Sequence, residues 1–164
     1  MRRVASGEDE ATRELLALHL DPLYRFVQHS LDRVDGTDDV VQATLVRAYA
    51  AAGRFDGRAS LRTWLFAIAW REVGRWRRRR VWLPILGDRA VLSPELASVE
   101  SEAWIEAALA VLTTPLRAAF ALVHVEEVSV AEAAEILGIP EGTVKSRVHA
   151  AKARLRAHLE EPDV

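Results

Sequence analysis

The side chains of this sequence that are best suited to binding a ligand form two basic clusters. Residues 143–156 hold five lysines and arginines and no acidic residue, while residues 71–80 hold six arginines and one glutamate. Ammonium and guanidinium groups at this density neutralise phosphates, and the release of counterions makes such binding strong at low salt. Because the whole chain has a net charge of −2, the clusters are local patches. We therefore expect a polyanion to contact the protein at two places.

The side chains that perform catalysis or hold metals are not arranged for either task. The sequence has no cysteine, which excludes disulfides, cysteine zinc sites and thiol nucleophiles. The five histidines lack metal-ligand spacing, and the adjacent pairs Asp38-Asp39 and Glu126-Glu127 point in different directions on a helix. No glycine-rich phosphate loop or Ser-His-Asp arrangement is present. We therefore predict a protein that is not an enzyme and uses no cofactor, metal or small-molecule substrate.

The composition predicts an all-α protein. Ala, Leu, Arg and Glu are strong helix formers and dominate the chain, while alternating runs of β-branched and aromatic residues are nearly absent. Half of the 164 residues are hydrophobic, which suits two small helical domains with their own cores. Neither a signal peptide nor a membrane span is recognisable in the sequence. We expect a cytoplasmic location without membrane insertion.

Helical periodicity divides the chain into two halves. In the first half, apolar residues recur every three or four positions over residues 11–31, and Asp21-Pro22 favours a restart or a kink there. Further helices begin at Thr37 or Asp38 and after Ser60. The pattern then lapses between the halves, where prolines and a glycine accumulate. We predict two small helical domains, residues 8–80 and 101–160, joined by a flexible linker over 81–100.

A pair of helices in the second half has the spacing of a DNA-reading motif. Ser129 followed by Glu132 predicts a capping box at the start of the first helix, and Gly138 supplies the positive φ of a sharp turn. The second helix, residues 141–158, buries apolar side chains on one side and carries the basic cluster on another. This is the design of a helix-turn-helix, whose second helix fits the major groove. The alternative is a helical hairpin with a solvated charged face, which the lack of acidic residues in 143–156 disfavours.

The quoted motifs resemble those of the extracytoplasmic-function (ECF) RNA polymerase sigma factors. The run Leu137-Gly138-Ile139-Pro140-Glu141-Gly142-Thr143-Val144-Lys145-Ser146-Arg147 is similar to the family's region-four signature. In the first half, Asp38-Asp39-Val40-Val41-Gln42-Ala43-Thr44-Leu45 resembles the region-two helix that docks on the polymerase clamp. Arg54-Phe55-Asp56 and Ser60-Leu61-Arg62-Thr63-Trp64-Leu65 resemble the segment that opens and reads the minus-ten element. The two motif sets occur in the family's order, and this joint order is more specific than either set alone.

The resemblance implies a sigma factor that directs core RNA polymerase to specific promoters and assists promoter opening. Residues 8–80 would form region 2, which binds core polymerase and the melted minus-ten element. Residues 101–160 would form region 4, whose helix-turn-helix reads the minus-thirty-five element. The partners implied are core RNA polymerase, promoter DNA and an anti-sigma factor, because no sensory domain follows Val164 in this sequence.

The resemblance also assigns three sets of site residues. For minus-thirty-five DNA they are Thr143, Lys145, Ser146, Arg147, His149 and Lys152. For minus-ten DNA and phosphates they are Arg54, Arg62, Trp64, Arg71, Arg75, Arg77 and Arg78. For polymerase binding they are Asp38, Asp39, Val41 and Gln42, with Thr37 beside them on the same polar surface.

Some positions depart from the family or have a simpler interpretation. The family commonly has Arg, Asn and Asp where this chain has Trp70, Arg71 and Arg75, so no base preference is carried over. The tryptophans at 64, 70, 76 and 82 are six apart and cannot share one helical face, which predicts that most belong to the core or its rim. The arginines at 77–80 also suit a solvated helix end, and the acidic start of the helix at Asp38 also suits its own dipole.

Two other functions are compatible with parts of this pattern. An independent helix-turn-helix regulator with a helical sensor or dimerisation domain would bind duplex DNA alone, as a dimer, but would leave the Asp38 helix and the Arg-Trp segment without a purpose. A non-DNA adaptor would dock its basic faces on acidic proteins, and would show only weak salt dependence of nucleic-acid binding.

Overall fold

The structure, a computed structural model, describes residues 1–31, 36–81 and 108–160. Every regular element within these ranges is a helix, which confirms the all-α prediction. The predicted linker, apart from Val81 at the end of a helix, and residues 101–107 of the second domain lie outside the described residues. The first half contains α1 (Arg2–Ala5), α2 (Asp9–Ser30), α3 (Thr37–Ala51), a 3₁₀ turn (Ala52–Arg54) and α4 (Leu61–Val81). The second half contains α5 (Thr114–Phe120), a π-helical turn (Ala121–Val125), α6 (Val130–Leu137) and α7 (Glu141–Glu160).

Helices α2, α3 and α4 pack together through apolar side chains that the 3.6-residue period brings to one side of each helix. Phe26 of α2 stacks on Phe66 of α4, with ring centroids 4.9 Å apart. Leu23 and Val40 are buried in the same cluster. Each such side chain contributes about 1.5–3 kcal/mol when removed from water. The result is a three-helix platform on which the exposed polar residues of the first half are held.

Helix α2 runs through Pro22 without a break, so of the two alternatives expected at Asp21-Pro22 the restart is wrong, and the kink stays a prediction. Proline removes one N–H from the helical ladder and leaves the carbonyl four residues earlier, that of Leu18, without its usual donor. Leu18 lies on the exposed side of the helix, 71% accessible, where water satisfies a carbonyl. The buried side of α2 outweighs the lost bond and keeps the helix continuous.

The Trp76 ring packs so close to Gly36 that a larger residue would not fit there. A Cβ at residue 36 would lie 2.2 Å from the Trp76 ring, although the backbone there, with φ −113°, suits any residue. The glycine therefore serves a packing purpose rather than a conformational one. It lets the C-terminal part of α4 close over the N-terminus of α3.

The two halves pack against each other. Helix α2 contacts α5 and the π-helical turn, and α4 contacts α6. Phe66 of the first half and Leu122, Ile136 and Val144 of the second belong to one continuous buried cluster. The sequence predicted two domains but not this contact, which we call the closed arrangement.

We expect Gly36→Ala to lower the free energy of unfolding by about 1–3 kcal/mol, the usual cost of forcing extra volume into a packed site. Gly142→Ala is the matched control, because nothing lies within 4 Å of a Cβ there, and alanine in an open helical position stabilises by up to about 1 kcal/mol. Urea denaturation followed by circular dichroism measures both. Equal stability of the two variants would contradict the close approach of Trp76.

Candidate nucleic-acid interface

The first helix of the helix-turn-helix begins with the predicted capping box. Ser129 Oγ accepts a hydrogen bond from the Glu132 amide at 3.2 Å, and the Ser129 amide donates to a Glu132 carboxylate oxygen at 2.9 Å. Hydrogen bonds from Ser129 hold the pKa of Glu132 below its usual value. Gly138 follows α6 with φ 66°, as the sharp turn requires. These features fix the angle at which α7 leaves the motif.

The fully buried side chains of helix α7 lie on one side of the helix. Val144 and Ala151 are fully buried, and at 100° per residue they lie on a face away from the basic stripe. The predicted DNA residues are exposed or half-buried, and Lys145, His149 and Lys152 follow one another along the helix. The described part of α7 beyond Glu141 carries no acidic residue before Glu160. Of the predicted minus-thirty-five set, Lys145, Ser146, His149 and Lys152 therefore lie on the outward side of one helix, while Thr143 and Arg147 are half-buried at the border of its inner side.

The predicted minus-ten set is spread along α4 instead of meeting at one point. Arg62 and Arg78 are separated by sixteen residues, or about 24 Å at 1.5 Å per residue. Arg71, Arg77 and Arg78 are exposed on this helix, and Arg54 is exposed at the end of the 3₁₀ turn. These arginines thus form an extended row of cations along α4 rather than a compact pocket.

Two members of the minus-ten set are held by glutamates. Glu72, 5% exposed, forms an ion pair with Arg75 and another, at 2.6 Å, with Arg47 of α3. Arg62 is bound to Glu126 of the second half. Arg47 was not predicted, because its partner Glu72 lies on a different helix.

The tryptophans lie at the edge of the core, as their six-residue spacing predicts. Trp64 is half-buried beside Leu65 and Ile68, and its ring meets Phe55 edge-on with centroids 5.2 Å apart. Trp70 and Trp76 pack against the main buried cluster. The three tryptophans that the structure describes therefore do not form a stacking face, and Trp82 lies outside the described residues.

The predicted polymerase-binding set is only partly on the surface. Asp38, Asp39 and Gln42 are exposed, and Asp38 accepts a hydrogen bond from the Tyr24 hydroxyl at 3.0 Å. Val41 is 6% exposed and belongs to the hydrophobic core, so the structure does not present it on the surface, and its assignment as a contact residue stays a prediction. Thr37, which we placed on the same surface, is buried as well. Two successive turns of α3 bury positions 37, 40, 41 and 44, leaving 38, 39 and 42 outside.

An apolar groove lies further along α3 and was not predicted. It has a volume of about 320 Å³ and is bordered by Leu15, Leu16, Leu45 and Val46. Val46 and Tyr49 are 63% and 54% exposed. In the sequence, Val46 and Tyr49 could have indicated this groove, because they are apolar and lie one helical turn apart, beyond the polar residues at the start of α3.

A buried carboxylate joins the two halves. Glu126, 2% exposed, accepts a hydrogen bond at 2.7 Å from Arg62 of α4 and another at 3.3 Å from Arg25 of α2. A second link runs from the Thr63 hydroxyl to Glu132 at 3.3 Å. No local sequence signal identifies these partners, because Glu126 is 64 and 101 residues from its two arginines.

His29 lies within the same polar contact. It is 9% exposed, and its Nδ1 has no hydrogen-bond partner among the described residues. Burial lowers the pKa of His29 below its ordinary 6.5; Glu126 opposes this shift, while Arg25 and Arg117 add to it. The neutral imidazole is therefore the form that the folded protein favours.

Two family models match separate parts of the chain. A sigma-70 region 2 model matches residues 15–83, and a sigma-70 region 4 model matches residues 102–155. The chain is 34% identical over 171 residues to the ECF RNA polymerase sigma factor SigC of Mycobacterium tuberculosis, covering 98% of this chain and 89% of SigC.

The chain belongs to the ECF group of sigma-70 family RNA polymerase sigma factors. Its function is accordingly that of a sigma factor, which directs core RNA polymerase to specific promoters for transcription initiation.

Two solved sigma factors resemble this one over both halves. The sigma factor RpoE of Bartonella quintana, in complex with the anti-sigma factor NepR, matches with a TM-score of 0.81 and 28% identity over 94% of this chain and 99% of RpoE. The sigma factor CnrH of Cupriavidus metallidurans, in complex with the cytosolic domain of CnrY, matches with a TM-score of 0.74 and 27% identity over 99% of this chain and 96% of CnrH. A TM-score of 0.81 over nearly the whole chain requires a similar placement of the two halves in RpoE.

Within residues 1–31, 36–81 and 108–160, no group of three or more His, Asp or Glu side chains could hold a metal ion. No described helix is both long and apolar enough to cross a membrane.

We expect the free energy of unfolding of this sigma factor to decrease as the pH is lowered from about 7 to about 5. Because burial lowers the pKa of His29 in the folded protein, the unfolded chain takes up the proton first. This contribution of His29 to stability is complete above pH 6.5, the ordinary pKa of histidine. It is lost as the pH falls through the lower pKa that His29 has in the folded protein. Urea titrations at several pH values should show a smaller decrease for His29→Gln.

The matched control is His158→Gln, which removes an exposed histidine near the end of α7. It should keep the pH dependence of the wild-type protein. His19 and His124 also have pKa values lowered by burial, so the His29 variant should retain part of the slope. Identical slopes for His29→Gln and His158→Gln would contradict the role of burial at His29.

Proposed function

We propose that the two halves of this sigma factor divide promoter recognition between them. Residues 8–80 bind core polymerase and the melted minus-ten element, and residues 101–160 bind the minus-thirty-five element as duplex DNA. The observation that carries this proposal is the outward, acid-free face of α7, held in place by Val144 and the capping box. Each half binds weakly alone, and polymerase links them so that their affinities combine.

In the second half, α7 enters the major groove. The first turns of such a helix reach base edges, which gives Lys145, Ser146 and Arg147 the reading role. Lys145 lies 3.8 Å from Glu141, one turn earlier, but both side chains are more than half exposed, so this pair is weak and readily exchanged for DNA. Thr143, His149 and Lys152 extend the contact along the same helix.

In the first half, the cations of α4 follow the DNA backbone. Arg71, Arg77 and Arg78 project outward and supply affinity through phosphates rather than sequence information. Arg75 forms an ion pair with Glu72, which fixes its position within this row of cations. Arg54 and Trp64 lie at the other end, where Trp64 is partly covered by Phe55.

Core polymerase binds at the exposed start of α3. Asp38, Asp39 and Gln42 provide the polar contacts, and Val41 supports them from the core. Val46 and Tyr49 extend this surface with apolar area on the same helix. Exposed apolar side chains beside carboxylates are typical of the centre and rim of a protein interface.

The remaining assignments follow from this function. The sigma factor contributes binding energy and promoter recognition and is not itself an enzyme, since the chemistry of RNA synthesis belongs to the polymerase. Its place of action is the cytoplasm, where polymerase and promoters meet. RpoE was solved with the anti-sigma factor NepR and CnrH with the cytosolic domain of CnrY, and we infer that an anti-sigma factor controls this chain as well.

We expect Lys145→Ala with Arg147→Ala to lower promoter-specific initiation at least tenfold, because each direct contact is worth about 1–3 kcal/mol. Binding to core polymerase should not change. Purified core polymerase and a library of genomic fragments, with and without the protein, give the start sites and their yields. Arg154→Ala with Arg156→Ala is the control, since it removes the same charge from a later turn of α7. An equal loss of initiation in both double variants would refute the proposed reading residues.

We expect Asp39→Ala with Gln42→Ala to weaken core polymerase binding about tenfold or more, while duplex binding by the second half stays as in the wild type. Loss of two exposed polar contacts typically costs this much at an interface. Fluorescence titration of labelled protein with core polymerase measures the affinity. Glu135→Ala, an exposed carboxylate of α6, is the control and should bind normally. Unchanged binding by the double variant would show that core polymerase does not bind at the start of α3.

A further inference from the structure

Glu72 of α4 is a buried carboxylate that holds cations from two helices of the first half. It is 5% exposed, and one of its oxygens, Oε1, contacts both Arg47 Nε, at 2.6 Å, and Arg75 Nη1. The two arginine side chains are 49% and 41% exposed. The carboxylate therefore lies beneath two guanidiniums that reach the surface where α3 meets α4.

One carboxylate brings these two cations together without neutralising both of them. Two positive charges at this separation would otherwise repel each other. A guanidinium has five N–H donors in one plane, and Glu72 contacts one nitrogen of each arginine. Counted with the carboxylate, Arg47 and Arg75 keep one net positive charge at the surface. This combination of fixed position and remaining charge suits the binding of an external anion.

Arg47 faces a different side of α3 from the residues proposed to bind polymerase. At 100° per residue, it lies about 180° around the helix from Asp38 and about 140° from Gln42. Its ion pair with Glu72 places it on the side that borders α4. Helix α3 therefore presents its polar start to polymerase and carries Arg47 on another side.

Arg75 lies in a row of arginines on α4. Arg71, Arg75 and Arg78 follow at intervals of four and three residues and share one side of the helix. A Cβ at Gly74 would lie 3.3 Å from Arg78 Nη1, so the Arg78 guanidinium lies back along the helix toward Arg75. Arg47 joins this row from α3. An elongated row of cations suits the spaced phosphates of a nucleic acid strand better than a single acidic group of a protein.

We propose that Glu72 is a positioning residue for minus-ten binding, which holds Arg47 and Arg75 side by side so that together they bind one backbone phosphate of the melted strand. A guanidinium binds phosphate oxygens with the same paired geometry that it uses for a carboxylate. Because the family commonly has Asp where Arg75 stands, this pair of guanidiniums is a feature of this chain. The inference rests on the proposed assignment of the first half to minus-ten DNA.

The test removes the charge of one DNA phosphate at a time. Holoenzyme is assembled from core polymerase and this chain, and its affinity is measured from open-complex formation on a promoter found in the genomic-fragment assay. Each minus-ten phosphate in turn is replaced by a neutral methylphosphonate. The wild type should lose about tenfold in affinity at one phosphate, the usual cost of losing a hydrogen bond between charged groups. Arg47→Ala and Arg75→Ala should each lose about as much on unmodified DNA and no longer respond at that phosphate.

Arg13→Ala is the matched control, because it removes an exposed cation of α2 that lies outside the row on α4. Its affinity should stay within about twofold of the wild type, and it should keep the full response to the methylphosphonate. Fluorescence titration with core polymerase should give normal binding for all three variants. If Arg47→Ala weakens core polymerase binding instead, or responds to the methylphosphonate as the wild type does, the proposal is wrong.

Glu72→Gln separates positioning from general electrostatics. It removes a negative charge, so long-range attraction alone would strengthen DNA binding. Positioning by Glu72 predicts the opposite, a loss of about three- to tenfold with a weaker response at the same phosphate, because the guanidiniums are no longer held together. Glu72→Asp, which keeps the carboxylate, should recover part of the loss. Equal or tighter binding by Glu72→Gln would refute the positioning role.

A second variant covers the case in which circular dichroism shows that Glu72→Gln does not fold. Arg47→Lys keeps both the charge at this position and the buried carboxylate, but an ammonium lacks the planar fork of a guanidinium. It should bind the promoter about threefold or more weakly than the wild type. Wild-type affinity and a wild-type response in Arg47→Lys would overturn the paired binding of a phosphate.

Failure of the proposed function would give a different result. If no methylphosphonate in the minus-ten region weakens the wild-type open complex, the first half does not bind there, and this inference fails with that assignment. If the wild type responds at one phosphate and Arg47→Ala responds equally, the assignment of the first half stands and only the role of Arg47 and Glu72 is wrong.

Discussion

The structure depends on the burial of α4 on nearly all of its sides. Leu65, Phe66, Ala67, Ile68 and Ala69 are consecutive and each at most 8% exposed, although five successive residues of a helix point all around its axis. Helices α2 and α3 cover two sides of α4, and α6 of the other half covers a third. An isolated first half would expose part of this surface. The apolar sequence of α4 therefore favours a partner on that side, and in the closed arrangement the partner is α6.

This requirement explains why polar links accompany the contact between the halves. Apolar burial favours many orientations of α6 on α4, because it is not directional. The Glu126 pairs and the hydrogen bond from Thr63 to Glu132 have fixed lengths and angles, and so select one orientation. The closed arrangement is thus held together by apolar area and oriented by charged and polar pairs.

The sequence predicted the features that depend on neighbouring residues. The capping box at Ser129, the turn at Gly138 and the extent of α7 follow from local hydrogen bonds and from the 3.6-residue period, and all are present. The outward face of α7 was also predictable, since Val144 and Ala151 identify its inner side. The candidate residues of this helix were therefore placed correctly on the surface, although their contacts with DNA remain a proposal.

The features that the sequence did not predict depend on distant residues. Val41 was assigned to polymerase binding together with Asp38 and Asp39, whereas the packing of α2 and α4 against α3 buries it. Arg62 and Arg75 were predicted as free cations, yet each is held by a glutamate from another turn or another half. No periodicity connects Glu126 with Arg25 or Arg62, because such pairs form only when the helices have packed.

The cations of α4 and α7 differ in their partners. Among the described residues, Lys145 of α7 forms an ion pair with the exposed Glu141, whereas Arg62 and Arg75 of α4 are paired with the buried carboxylates of Glu126 and Glu72. An exposed pair costs little to break, while a buried carboxylate that loses its partner is destabilising. The side chains of α7 are therefore the more readily available to a polyanion. Under the proposed division of promoter recognition each half binds through few contacts, so the two become useful together only when polymerase holds both halves near one promoter and raises their effective concentration.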